Sequence, residues 1–253
     1  MKYILWIVTV INDLSFKINR SEVLTVIGQN GIGKSTLLRV LTGQQKKYEG
    51  EVFVDGKNIK EYTIRELSHK IAIVSAKFNP YQDLCVADYL LTGFANQLIG
   101  MQTPDKYMVE QAYDILKIFN KEKLFNKSIN QISSGDQQII MITRALLQKP
   151  EIILFDEPTA TLDVNNQMIV LEHIRRLSQD GYTIITTSHN PGHAITIGGK
   201  VLLLSHNEYV FGDVEDVFSE TNLKKVYSLT ANIIPNDRDC IKFTGDRKTI
   251  LYF

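Results

Sequence analysis

Apolar residues along this chain fall into runs of two kinds, continuous and periodic. Val23–Ile27, Ile71–Val74, Ile152–Phe155 and Val201–Leu204 are almost uninterrupted, and Tyr182–His189 reads as a further buried strand. Runs of that length and continuity predict strands of a parallel sheet covered on both faces. Ser35–Leu41, ahead of Gly43, and Gln167–Gln179, ahead of Asp180-Gly181, carry helical spacing and glycine stops. Leu14–Ile18 alternates apolar with polar and reads as a half-buried strand. Gly50–Lys57 reads as a strand ending in a tight Asp55-Gly56 turn, and Tyr209–Gly212 closes a hairpin with Val201–Leu204 around His206-Asn207-Glu208. From residue 79 to 149 strand signal almost vanishes, while Val86–Leu91 and Val109–Phe119 carry amphipathic helical spacing, with Ile139–Leu147 a further helix. The pattern predicts an α/β core with a helical lobe inserted over residues 77–150, the whole forming one domain of 253 residues.

Composition changes this picture little. Formal net charge is zero and no long basic run is present, so nucleic acid is not an expected partner. Cys85 and Cys240 lack C-x-x-C spacing and read as ordinary thiols of a reducing compartment, with one structural pair as the alternative. Met1-Lys2 followed by apolar Tyr3–Ile11 has the outline of a secretion signal, but Asn12-Asp13 end it without a small-residue cleavage site. A buried strand is the expected reading there. No segment approaches transmembrane length, and a soluble or peripheral chain is expected.

Chemistry enters directly after the first continuous run. Gly28-Gln29-Asn30-Gly31-Ile32-Gly33-Lys34-Ser35-Thr36 fits G-x-x-x-x-G-K-[ST], the phosphate-binding loop of nucleoside-triphosphate enzymes. Glycines let backbone N–H groups approach a polyphosphate, and the following helix offers its positive dipole end to the same anion. Lys34 is expected on the β- and γ-phosphates and Ser35 on Mg²⁺. Asp156, ending the apolar run Ile152–Phe155, is the expected second Mg²⁺ partner. Glu157 follows it and suits a base or orienting group for water.

Ile132-Ser133-Ser134-Gly135-Asp136-Gln137-Gln138 precedes the helix Ile139–Leu147, and either serine could cap it. The stretch resembles the Leu-Ser-Gly-Gly-Gln signature of ATP-binding cassette (ABC) ATPases, and the likeness extends over nearly the whole chain. Ala160-Thr161-Leu162-Asp163 resembles the D-loop and His189 the switch histidine of that family. The resemblance implies a phosphate-loop NTPase (RecA-like) core with a small antiparallel β subdomain and a helical subdomain. It implies that ATP binds Gly28, Asn30, Gly31, Gly33, Lys34, Ser35 and Thr36 of one copy and Ser133, Gly135 and Asp163 of another. Glu157 and His189 would be catalytic, with Mg²⁺ on Ser35 and Asp156. The implied partners are a second copy packed head to tail, transmembrane permease subunits and a substrate-binding protein, with the chain peripheral on the cytoplasmic face of the membrane. Val86–Gly93 resembles the corresponding stretch of iron–siderophore, haem and cobalamin importers.

Three departures modify the expectation. Ala76 stands where the family has a Q-loop glutamine, which predicts slower or less coupled hydrolysis, with Gln82 as a remote substitute. Ser134 and Asp136 replace a glycine and a neutral glutamine, which predicts modest weakening through a negative charge near phosphate. Leu5 occupies the register of the adenine-stacking aromatic, with Trp6 beside it as an alternative. Two other functions stay open on sequence alone: a degenerate cassette that binds ATP for regulation, and a cassette ATPase outside transport.

Overall fold

The computed structural model describes residues 14–75, 84–205, 208–219, 221–223, 231–232 and 242–243. Its main sheet has six strands in the order β4-β5-β6-β1-β7-β8. These are β1 (Val23–Gly28), β4 (Ile71–Ser75), β5 (Ile152–Asp156), β6 (Thr183–Ser188), β7 (Lys200–Leu204) and β8 (Tyr209–Asp213). All neighbours pair in parallel except β7 and β8, which form the expected hairpin. Each residue of β1 is buried, because cores lie on both faces of the sheet. Leu24 and Val26 join one apolar cluster with Leu37, Leu38 and Leu154, while Val23 joins another with Ile153, Phe155 and Ile184. Each fully buried Leu, Ile or Phe contributes about 1.5–3 kcal/mol, and β1 concentrates several of them beneath its own C-terminal end.

That end is where the first helix begins. The register pairs Gly28 with Leu204, Ile27 with Ser188, and Asp156 with Thr187. Strands β1, β5 and β6 therefore finish at one level, and the loops that leave them share one edge. Helix α1 (Lys34–Leu41) follows β1 after a five-residue loop, with Gly43 at φ 70° just past its end.

The helices between β4 and β5 form a layer of their own. Helices α3 (Val86–Leu91), α4 (Lys106–Ile118) and α5 (Ser134–Leu147) surround Leu90, Phe94, Ala112, Leu116 and Ile140. Helix α5 serves both layers, because Ile139, Ile142 and Ala145 pack instead into the core beneath the sheet. It begins five residues before the apolar periodicity does: Ser133, not Ser134, is its N-cap, with the side chain accepting from the Asp136 N–H. Helix α6 (Val164–Gln179) likewise starts early, capped by Asp163, which accepts from the Asn166 N–H. A cap of this kind stabilises a helix by about 1 kcal/mol.

One expected strand is absent. Residues Leu14–Ile18 pair with no strand among the described residues, although alternate side chains do turn inward. Leu14, Phe16 and Ile18 pack on the core beside Phe211, and the Tyr209 hydroxyl bonds to the Ser15 backbone on both sides, at 3.2 and 3.3 Å. Alternation reported a half-buried extended segment, and side-chain packing with that single hydroxyl stands in for a ladder. The expected antiparallel β region contains the hairpin of β2 (Phe53–Val54) and β3 (Lys57–Asn58), turned by Asp55 and Gly56 at positive φ. Capped by a Thr63–Glu66 box, α2 (Ile64–Lys70) leads into β4. The expectations for Tyr3–Ile11, Trp6, Ala76, Gln82, His206-Asn207 and Cys240 fall outside the described residues. Among the described residues no helix is long and apolar enough to cross a membrane.

Candidate functional site

Three strand ends, those of β1, β5 and β6, and one helix converge on the site. Gly33 sits at φ 111° between the loop and α1, and Gly31 at φ 83°, backbone conformations that side-chain-bearing residues rarely adopt. No side chain caps α1, so the unpaired N–H groups of its first turn remain directed into the loop. Asn30 is exposed, and Ser35 and Thr36 are half-buried in that first turn. Lys34 is only 5% exposed. Its ammonium donates to the carbonyls of Gly28 at 2.8 Å and Gln29 at 3.2 Å, and lies 3.3 Å from Glu157 Oε1. A buried cation held by carbonyls and one carboxylate at the mouth of an uncapped helix suits an incoming polyphosphate.

The acidic pair divides its work by direction. Asp156 Oδ1 accepts from the Ser35 hydroxyl at 3.1 Å and from Thr187 Oγ1 at 2.9 Å. Thr187 in turn accepts from the Glu157 N–H at 2.9 Å. That bond holds Glu157 in the left-handed region, at φ 49°, an unfavourable conformation for a side-chain-bearing residue that its surroundings must enforce. The result sends the Glu157 carboxylate toward Lys34 on one side and His189 Nδ1, 4.0 Å from Oε2, on the other. Ser35 and Asp156 supply one hydroxyl and one carboxylate oxygen at close range, a donor pair of the kind Mg²⁺ takes beside phosphate oxygens and water.

The remaining expected residues lie elsewhere in the same chain. None of the hydrogen bonds or ion pairs among the described residues joins Ser133, Gly135 or Asp163 to residues 28–36. Instead the start of α5 abuts α6: a Cβ on Gly135 would lie 2.4 Å from Asn166 Oδ1, and Asn166 Nδ2 donates to Asp163 Oδ2 at 2.7 Å. A side chain at Gly135 would therefore have to displace the Asn166 amide and its bond to Asp163. Hydrogen bonds from Asn166 hold the Asp163 carboxyl below its ordinary range.

Asp136 requires a correction. Its charge does not stand free beside the start of α5, because Lys121 Nζ lies 2.6 Å from Oδ1 and the Ser133 hydroxyl donates to Oδ2 at 2.9 Å. Burial raises its pKa, but bonds from Lys121 and Ser133 outweigh that and leave the carboxyl below its usual value. The negative charge expected to weaken phosphate binding is already paired.

Sequence reading missed Thr187 and His193. Thr187 showed only as one of several hydroxyls in a buried strand. His193, in the short helix α7 (Pro191–Ile197), is 8% exposed. Its Nδ1 lies 2.9 Å from Ser188 Oγ and 3.4 Å from Thr159 Oγ1. Burial, aided by nearby His189, pushes its pKa from 6.5 down to about 4. An unfolded chain therefore takes up this proton at higher pH than the folded one. The stabilisation is complete above pH 6.5 and is lost as pH falls toward about 4, an effect of about 3 kcal/mol for the full shift. Denaturant unfolding from about pH 7 to about pH 4.5 is expected to show this loss in the wild type and not in His193→Leu.

The fold and site together define a phosphate-loop nucleotide triphosphatase, with the loop, the acidic pair and a histidine on the carboxyl edge of one parallel sheet. A profile of the ABC transporter family matches residues 11–160, and the chain belongs to that family. It is 30% identical to an uncharacterized ABC transporter ATP-binding protein of Haemophilus influenzae, over 89% of this chain and 86% of that one. It is 31% identical to the molybdate import ATP-binding protein MolC of the same organism, over 86% of this chain and 81% of that one. Among solved structures, a protein assigned to the metal-chelate type of ABC transporter, in an inward-facing conformation, superposes with a TM-score of 0.78 at 31% identity. That match covers 86% of this chain and 82% of the other. The chain is an ATP-binding, ATP-hydrolysing subunit of an ABC transporter.

Proposed function

We propose that this subunit powers import of a metal chelate, such as an iron–siderophore or haem, through a site completed by a second copy. The observation that carries the catalytic reading is the junction of Lys34, Ser35, Asp156 and Glu157 at the ends of β1 and β5. Lys34 neutralises the terminal phosphates of ATP, and the α1 amides hold them against the loop. Ser35 and Asp156 would hold Mg²⁺, which would supply charge neutralisation when bound. Glu157 orients the attacking water and takes its proton, and His189 closes the other side of that carboxylate.

Ser133, Gly135 and Asp163 act on the ATP of the partner copy. This reading is supported by Ser133 and Asp163 being exposed and bonded away from their own phosphate loop. It is supported too by Val164 and Met168, exposed apolar neighbours on one face of α6 just past Asp163. Likeness to the metal-chelate transporter at 31% identity supports the substrate class. Comparing uptake of a ferric chelate, cobalamin and molybdate in cells with and without this chain tests it. Loss of chelate uptake alone is expected, and loss of molybdate uptake alone would overturn the substrate reading. For Ala76, the replacement Ala76→Gln is expected to raise turnover about threefold to tenfold by restoring the glutamine that the family resemblance implies as a metal ligand. Unchanged turnover and Mg²⁺ dependence would remove that role.

A further inference from the structure

The buried imidazole of His193 touches neither the loop nor the acidic pair, yet it sits between the segments that carry Glu157 and His189. Thr159 lies two positions after Glu157, and Ser188 immediately precedes His189. Both hydroxyl residues are buried, at 4% and 6% exposure. His193 Nδ1 lies against both, with the shorter contact to Ser188, so one ring nitrogen sits between the loop leaving β5 and the end of β6. The rest of the second segment is fixed around it. The Asn190 N–H donates to Ser188 Oγ at 3.0 Å, and Asn190 Oδ1 accepts from the Gly192 N–H at 2.9 Å, which starts α7 behind Pro191. The ring therefore rises from a helix anchored to the loop it braces.

We propose that His193 is a positioning residue for ATP hydrolysis, setting through Thr159 and Ser188 the distance between Glu157 and His189. The inference rests on Glu157 being the group that orients water. A carboxylate 3.3 Å from Lys34 and 4.0 Å from His189 is sensitive to small shifts of either loop, and displacements near 1 Å reduce turnover by about 100-fold. ATP binding depends on the phosphate loop, which His193 does not contact, so the effect falls on kcat and not on KM.

His193→Leu keeps an apolar volume in the cavity and removes the nitrogen; His193→Asn places a polar atom near the position of Nδ1. For the full chain, His193→Leu is expected to lower kcat about 10-fold to 100-fold with KM for ATP within about threefold. His193→Asn is expected to recover most of the loss. Thr159→Val and Ser188→Ala each remove one of the two hydroxyls and are each expected to lower kcat about threefold to tenfold, which decides the matter if His193→Leu does not fold. Wild-type kcat in His193→Leu, no advantage of Asn over Leu, or unchanged kcat in both hydroxyl variants overturns the proposal. Glu157→Gln in the same assay separates the two levels: full turnover there removes the reading of Glu157, and the inference with it.

Discussion

Glu157→Gln is expected to lower ATP turnover by about 1,000-fold while ATP binding stays within about threefold of wild type. The amide keeps the volume and can still meet the Lys34 ammonium through its oxygen, but it cannot take a proton. Its backbone is held by Thr187 and is indifferent to the change. Loss of the charge 3.3 Å from Lys34 leaves that cation freer to pair with phosphate, so affinity should hold or improve. Rapid-quench turnover beside equilibrium nucleotide binding checks both halves. Retained turnover would assign the base elsewhere, and lost binding would make Glu157 a structural partner of Lys34.

The second large effect belongs to Lys34. Lys34→Met preserves the length of the stem and removes the charge. It is expected to weaken ATP binding by about 100-fold, which corresponds to about 3 kcal/mol for one partner of a desolvated charge pair. The change also leaves Glu157 and two loop carbonyls without the ammonium that now meets them. Affinity for ADP should fall less than affinity for ATP, because in the proposed site the lysine reaches the terminal phosphates. Equal losses for both nucleotides would mean that the substitution collapsed the loop instead of removing a phosphate contact.

The contrast between what sequence exposed and what it concealed follows from range. The phosphate loop was legible because its chemistry is local: glycine at positive φ, lysine and serine at fixed spacing, and an apolar strand immediately before them. The continuous strands were legible because burial on both faces leaves little room for polar residues. Helix starts were read late at α5 and α6, where the first turns are polar and the caps Ser133 and Asp163, not apolar spacing, mark the boundary. Leu14–Ile18 misled in a different way, since alternation reports which side is buried and says nothing of who supplies the hydrogen bonds. Contacts between distant residues were out of reach. Lys121 neutralises Asp136 from another loop, Thr187 bonds to both acids from β6, and His193 meets Thr159 and Ser188 from α7.

The central claim is that one copy supplies the phosphate loop and acids while another supplies Ser133, Gly135 and Asp163. Mixing two inactive variants tests it most directly. Lys34→Met disables the loop, and Ser133→Glu disables the opposite surface by placing a negative charge at the start of α5. In a shared arrangement, a mixed pair contains one intact site, so equal parts of the two variants should recover about a quarter of the wild-type ATPase rate. A mixture no faster than the average of its two components would contradict the shared site and return the chemistry to a single chain.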